Sequence, residues 1–182
     1  MVDLQQFCAD GTSRYNFHRP FVKGGFLWAT DARILVRVHS DEPDTVPEHG
    51  KFPNVMAVWE PGFDSAGEFV PLPNLRYELV ACEECGGCGR YICPTCEHED
   101  DCSECDGSGE VFSPCWLKIG ANSFAAELID KLKRLPGISV VIQGADGFKK
   151  PMSFRFDGAE GLISPGVEDT AIRHGDFSES IV

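Results

Sequence analysis

The sequence predicts an α+β fold, an antiparallel sheet with one main helix packed on it, interrupted by a cysteine-rich insertion. Three observations predict it. Apolar residues alternate along short runs, as at Ile34, Val36 and Val38 and at Met152, Phe154 and Phe156, which is the period of a half-buried strand. One stretch has helical spacing, with Phe124, Leu128, Leu132 and Leu135 forming a single apolar stripe. Seven of the nine cysteines fall between Cys82 and Cys105. The organisation expected is a body in two parts, residues 1–81 and 111–182, with residues 82–110 inserted between them as a separate module.

Along the first part, Leu4, Phe7 and Cys8 can anchor a helical turn, and Cys8 reads as a small buried hydrophobe. Tyr15, Phe17 and Phe21 alternate as in a strand, and Lys23-Gly24-Gly25 marks a turn. Phe26–Trp28 and Ile34–Val38 read as strands on either side of Thr30-Asp31-Ala32, with Leu35 and Arg37 facing away from Ile34, Val36 and Val38. Between Ser40 and Leu75 six prolines recur among acidic residues. That stretch reads as an extended connection with one apolar island at Val55, Met56, Val58 and Trp59. Residues 75–81 and 111–119 read as the strands entering and leaving the insertion, with Cys115 a buried thiol on the second.

In the last part, Ser123 is a candidate N-cap for a helix over 124–135, closed by Pro136-Gly137. Glu127–Lys131 and Asp130–Arg134 are i,i+4 pairs for its wet side. Lys131, Lys133 and Arg134 read either as a solvated face or as a face for a phosphate backbone. A meander follows, through Ile138–Ile142 and Met152–Phe156 and, after the Asp157-Gly158 turn, into Leu162-Ile163. The tail from Gly166 is polar.

The insertion carries the chemistry. Six of its cysteines form three C-x-x-C pairs, Cys82/Cys85, Cys93/Cys96 and Cys102/Cys105, and the outer two are 16 residues apart. This is the spacing of four-thiolate zinc sites. The segment holds almost nothing apolar, so a metal has to supply its stability. Cys82, Cys85, Cys102 and Cys105 form the expected zinc site. Cys88, Cys93, Cys96 and His98 could make a second, inner site of three thiolates and one imidazole; the alternative is that Cys88 is a bystander and the inner pair is free or weakly metallated. Disulfides are the alternative use of so many cysteines. The opening MVDLQQFCAD has neither the basic start nor the apolar run of a secretory leader, so reduced thiols and a cytoplasmic location are expected. Cys93-Pro94-Thr95-Cys96 has the form of a redox motif, but five polar residues follow it where a thiol oxidoreductase has a helix.

These repeats resemble the cysteine-rich zinc domain of DnaJ-type co-chaperones, built on CxxCxGxG. Cys102-Ser-Glu-Cys105-Asp-Gly107-Ser-Gly109 fits that repeat. Cys82-Glu-Glu-Cys85-Gly-Gly87 fits in part, with Cys88 and Gly89 following, and Cys93-Pro-Thr-Cys96 lacks both glycines. The resemblance implies repeats that pair to share zinc, and no His-Pro-Asp triplet of a J-domain is present. A second resemblance covers the body. FLWATDARILVRV, residues 26–38, and SFAAELIDKLKRL, ISVVI and PMSFRFDGAEGLISP, within 123–165, are similar to one domain of bacterial sliding clamps, the DNA polymerase III β-subunit type. That likeness implies a clamp-like α+β body, and the combination resembles small phage or prophage proteins.

Charge narrows the function classes. The chain carries a formal −13. Residues 82–110 hold nine acidic residues against one arginine, a net of −8 before any thiolate is counted. Such a knob repels nucleic acid, because phosphate binding needs clustered Lys and Arg. No apolar run is long enough to span a membrane. His18, His39, His49, His98 and His174 are scattered, and no nucleophile elbow, P-loop or HExxH occurs. The expectation is a non-enzymatic zinc-binding adaptor that meets a protein partner through the acidic loop. Two alternatives are a DNA replication or processing accessory related to sliding clamps, and an acidic DNA mimic that inhibits a DNA-binding protein.

Overall fold

A computed structural model describes residues 3–9, 18–46, 52–92, 95–144 and 149–166. A 3-10 turn at Leu4–Phe7 is followed by β1 (Phe21–Lys23), β2 (Phe26–Thr30) and β3 (Ile34–His39), then helix α1 (Val55–Gly62) and β4 (Phe69–Pro71). Next come β5 (Glu78–Ala81), β6 (Arg90–Ile92), β7 (Glu99–Asp101), β8 (Glu110–Ser113), β9 (Trp116–Ile119) and β10 (Asn122–Ala125). Helix α2 (Ala126–Lys133), β11 (Ser139–Val141), β12 (Met152–Phe156) and β13 (Ala159–Ile163) complete the described chain. Seven strands form one sheet in the order β1-β2-β3-β13-β12-β11-β4, every neighbouring pair antiparallel. The pairs β9–β10, β5–β8 and β6–β7 form separate two-stranded sheets.

The architecture is therefore mostly β, which corrects the expected α+β fold with one main helix packed on a sheet. Two causes shorten and divide the helical content. Ser123 and Phe124 do not open a helix but pair with Lys118 and Leu117 across the β9–β10 hairpin. The helix begins only at Ala126, whose N–H is taken by the Cys115 carbonyl, and it runs eight residues. A second helix of eight residues, α1, occupies the stretch read as an extended connection. Tyr15 and Phe17 lie outside the described residues.

The strand alternation sorts side chains onto two faces. Ala29, Ile34, Val36, Phe154 and Ile163 share one core with Leu128, Ile129 and Leu132 of α2 and with Leu4 and Phe7. Phe21, Trp28, Leu35 and Leu162 share the other with Val55 and Trp59 of α1. Val55 and Trp59, four residues apart, are the helix positions that turn inward. Pro61 sits in the last turn, and the helix closes where the Phe63 N–H reaches the Trp59 carbonyl at 2.9 Å. Trp59 stacks on Phe63 at 4.4 Å between centroids and meets Trp28 edge-on at 5.3 Å. The Arg37 guanidinium lies 4.0 Å from the Trp59 ring and 4.1 Å from the Phe26 ring, and 2.8 Å from Glu160. Glu160 also takes Arg155 at 3.1 Å, so one carboxylate ties two guanidiniums across three strands.

The cysteine-rich stretch joins this body through β5 and β8. Tyr77 and Phe112 pack edge-on at 5.6 Å against the main core, and the Tyr77 hydroxyl donates to Asp130 of α2 at 2.8 Å. Burial, then the Asp130 carboxylate, push the Tyr77 phenol up to about 12. The fold thus favours the neutral phenol. Its contribution is complete below the ordinary value of 10 and is lost as pH climbs through about 12. Tyr77→Phe is expected to cost about 1 kcal/mol at neutral pH and to flatten the loss of stability in that alkaline window, read from urea unfolding against pH.

Candidate metal centre

The antiparallel ladder of β5 and β8 runs from Glu78↔Ser113 to Ala81↔Glu110 and delivers the two outer C-x-x-C pairs side by side. Cys82 continues from β5 into a tight turn through Gly87, and Cys102 continues from β7 into the matching turn through Gly107. In the first turn the Gly87 N–H reaches the Cys82 carbonyl at 3.0 Å, and in the second the Gly107 N–H reaches the Cys102 carbonyl at 3.2 Å. The Gly89 N–H donates to Cys85 Sγ at 3.2 Å and the Gly109 N–H to Cys105 Sγ at 3.3 Å. The Cys82 N–H bonds the Gly109 carbonyl at 2.8 Å, and the Cys102 N–H bonds the Gly89 carbonyl at 2.9 Å. Each contact of one half is repeated by the other, so the two turns are related by a local two-fold.

That correspondence corrects the reading of the first repeat. Cys82, Cys85, Gly87 and Gly89 stand where Cys102, Cys105, Gly107 and Gly109 stand, so the first repeat has the full CxxCxGxG form, with Cys88 at a variable position. The final glycines are fixed by contact and by conformation. Gly89 and Gly109 have φ of +75° and +78°, and a β-carbon would come 2.3 Å from the Gly107 carbonyl oxygen or 2.4 Å from that of Gly87.

The four sulfurs of Cys82, Cys85, Cys102 and Cys105 lie within 4.8 Å of one another. Cys82 and Cys102 are 3.9 Å apart and Cys85 and Cys105 3.8 Å, well beyond a disulfide bond of about 2 Å. Cys82, Cys102 and Cys105 are buried and Cys85 partly so. Burial opposes charge at Cys85, but the Gly89 N–H, the Cys82 thiol, the Gly87 N–H and the Cys105 thiol outweigh it and hold that thiol at about 6. At Cys102 the Glu104 N–H pulls downward, while burial and the neighbouring thiols push the group up to about 11. The cluster can hold a metal ion with four sulfur ligands.

The other candidates do not join this cluster. Cys88 is exposed with its sulfur on the Arg90 carbonyl at 3.3 Å, and Cys96 is exposed. His98 is exposed, its Nε2 3.3 Å from Asp100. Cys93 lies outside the described residues. Cys8 is buried, which pushes its thiol up to about 11. Cys115, read as a buried strand thiol, is exposed instead, in the break between β8 and β9.

Comparison with family models, with curated proteins and with solved structures returns no match. No helix among the described residues is long and apolar enough to cross a membrane. The arrangement around the four thiols therefore carries the functional reading. The cations of α2 and its C-cap are occupied: Lys131 bonds the Gln6 carbonyl at 3.1 Å, Lys133 the Leu75 carbonyl at 3.4 Å, and the C-cap Arg134 pairs with Asp130. Glu127 pairs with Arg33 rather than with Lys131.

Proposed function

We propose that residues 82–110 are a structural zinc module and that the chain is a non-enzymatic adaptor, meeting a protein partner through this acidic, metal-stabilised loop. The observation that carries the proposal is the convergence of four thiols with two N–H···S hydrogen bonds on a local two-fold. Tetrahedral zinc with sulfur ligands at about 2.3 Å places its sulfurs about 3.8 Å apart, the separation found across both Cys82/Cys102 and Cys85/Cys105. Four protein ligands fill the coordination shell and leave no position for a water, which suits structure rather than hydrolysis. Loading would leave two thiolate charges uncompensated and deepen the negative field of the module.

The same donor set accepts iron, and elemental analysis separates the two. Purified, reduced protein is expected to carry about one zinc per chain, colourless, with Cys102→Ser losing nearly all of it and Cys88→Ser keeping it. Protein free of metal after zinc-replete preparation overturns the proposal. A second equivalent lost in Cys88→Ser assigns the inner ligands Cys88, Cys93, Cys96 and His98 to a zinc of their own.

A further inference from the structure

We propose that the β6–β7 hairpin docks an extended, basic and partly apolar segment of a partner protein along the outer edge of β6; this rests on the adaptor reading above. Tyr91 and Ile92 are 52% and 59% exposed, two adjacent large apolar side chains on a strand that is exposed throughout. Neither belongs to a core cluster among the described residues. They flank a short strand on opposite faces, an arrangement that an added strand can grip from both sides.

The hairpin geometry says what kind of contact. Tyr91 is opposite Asp100, Ile92 opposite Glu99, and Arg90 opposite Asp101. Cross-strand partners share a face, so one face presents Tyr91 beside Asp100 and the other Ile92 beside Asp101 and the Arg90–Glu99 pair. β6 pairs only with β7 among the described strands; at its other edge the Cys88 thiol sits on the Arg90 carbonyl at 3.3 Å, and the N–H of an added strand would displace it. A strand added at its other edge alternates its own side chains between the same two faces and so reaches both anchors at once. Apolar side chains would lie against Tyr91 and Ile92, while Lys or Arg stems cross them to the carboxylates.

Charge selects this occupant over others. β7 is Glu99-Asp100-Asp101, and the lone cation of the module, Arg90, is held by Glu99 at 2.9 Å. Nucleic acid and anionic lipid surfaces are repelled by such a face, and a second copy of a chain carrying −13 is repelled as well. A basic strand is attracted.

The test uses the full, zinc-loaded chain, isotopically labelled for NMR and titrated at low salt with a short peptide alternating Lys and Val. The expected result is shift changes centred on residues 90–92 and 99–101, weakening as salt is added. A peptide alternating Lys and Ser, and the Tyr91→Ser/Ile92→Ser variant with the Lys–Val peptide, are each expected to bind about tenfold more weakly or worse. Both exchanges are at exposed positions, and retained zinc content and unshifted main-sheet resonances confirm that the variant is folded. Shifts centred elsewhere, equal binding by the variant, equal binding of the Lys–Ser peptide, or occupation of the same residues by duplex DNA overturns the inference. Failure to hold zinc would instead defeat the adaptor reading on which it stands.

Discussion

Stripping metal from the reduced protein with a chelator at neutral pH is expected to unfold residues 82–110 while the seven-stranded sheet keeps its cooperative melt. The module's interior consists of Cys82, Cys102 and Cys105 with Cys85 and Val111 against them. Fixing the backbone costs about 1–2 kcal/mol per residue, and a core of thiols and one valine cannot offset that over such a length. Structural zinc can, since its apparent binding free energy in small finger domains is about 10–16 kcal/mol at neutral pH. The main core, built from Phe7, Ile34, Val36, Phe124, Leu132 and Phe154 among others, shares no cysteine ligand with the module and should be indifferent to chelation. Limited trypsin digestion gives the readout. Cleavage after Arg90 should appear on chelation and in Cys102→Ser, and should vanish when zinc is restored to the wild-type chain. Continued protection of Arg90 without metal would contradict the account.

Trp59→Ala is expected to lower stability by about 3–5 kcal/mol, with loss of near-ultraviolet circular dichroism from the aromatic cluster. Trp59 is 5% exposed and joins Trp28, Phe63 and Arg37 in one set of ring contacts. It is also one of the two buried residues of α1. Truncation removes the apolar contact and strips the nearest ring from the mostly buried Arg37 guanidinium, leaving it with Glu160, Phe26 at 4.1 Å and the more distant Trp28 and Phe63 rings. Trp59→Phe keeps part of the stack and should cost much less. Urea unfolding of both variants measures the difference, and an alanine variant as stable as the phenylalanine one would show that α1 is not docked through this residue.

The sequence carried some of this fold plainly and concealed the rest. Alternation placed Ile34 and Val36 opposite Leu35, and the structure buries them in separate cores, because period-two patterning is local and survives without tertiary information. Helix α1 was hidden because Pro53 precedes it, Pro61 sits in its last turn, and only Val55 and Trp59 are buried, too few to show a period. Phe124 misled in the other direction. It sits four residues before Leu128 and extends the helical stripe, yet it is buried from a strand, since pairing with Leu117 fixes it first. Sheet order was beyond reach, because β4 and β11 meet across some seventy residues of intervening chain that includes the whole module. The convergence of the four thiols was legible from cysteine spacing alone. The glycines of its first repeat were not, because Cys88 between Gly87 and Gly89 drew attention to itself as a ligand, while their service is to the backbone of the opposite turn.

Ala81 and Glu110 stand directly across the β5–β8 ladder from each other, so the chain departs for the cysteine module and comes home at adjacent points. A two-residue Asn-Gly connector could join the next pair inward, Val80 and Val111, in place of everything between, yielding a trimmed body with an ordinary hairpin at that spot. By the same logic the excised segment is expected to be portable: grafted onto an exposed hairpin of a foreign protein and loaded with metal, it would close without help from its host.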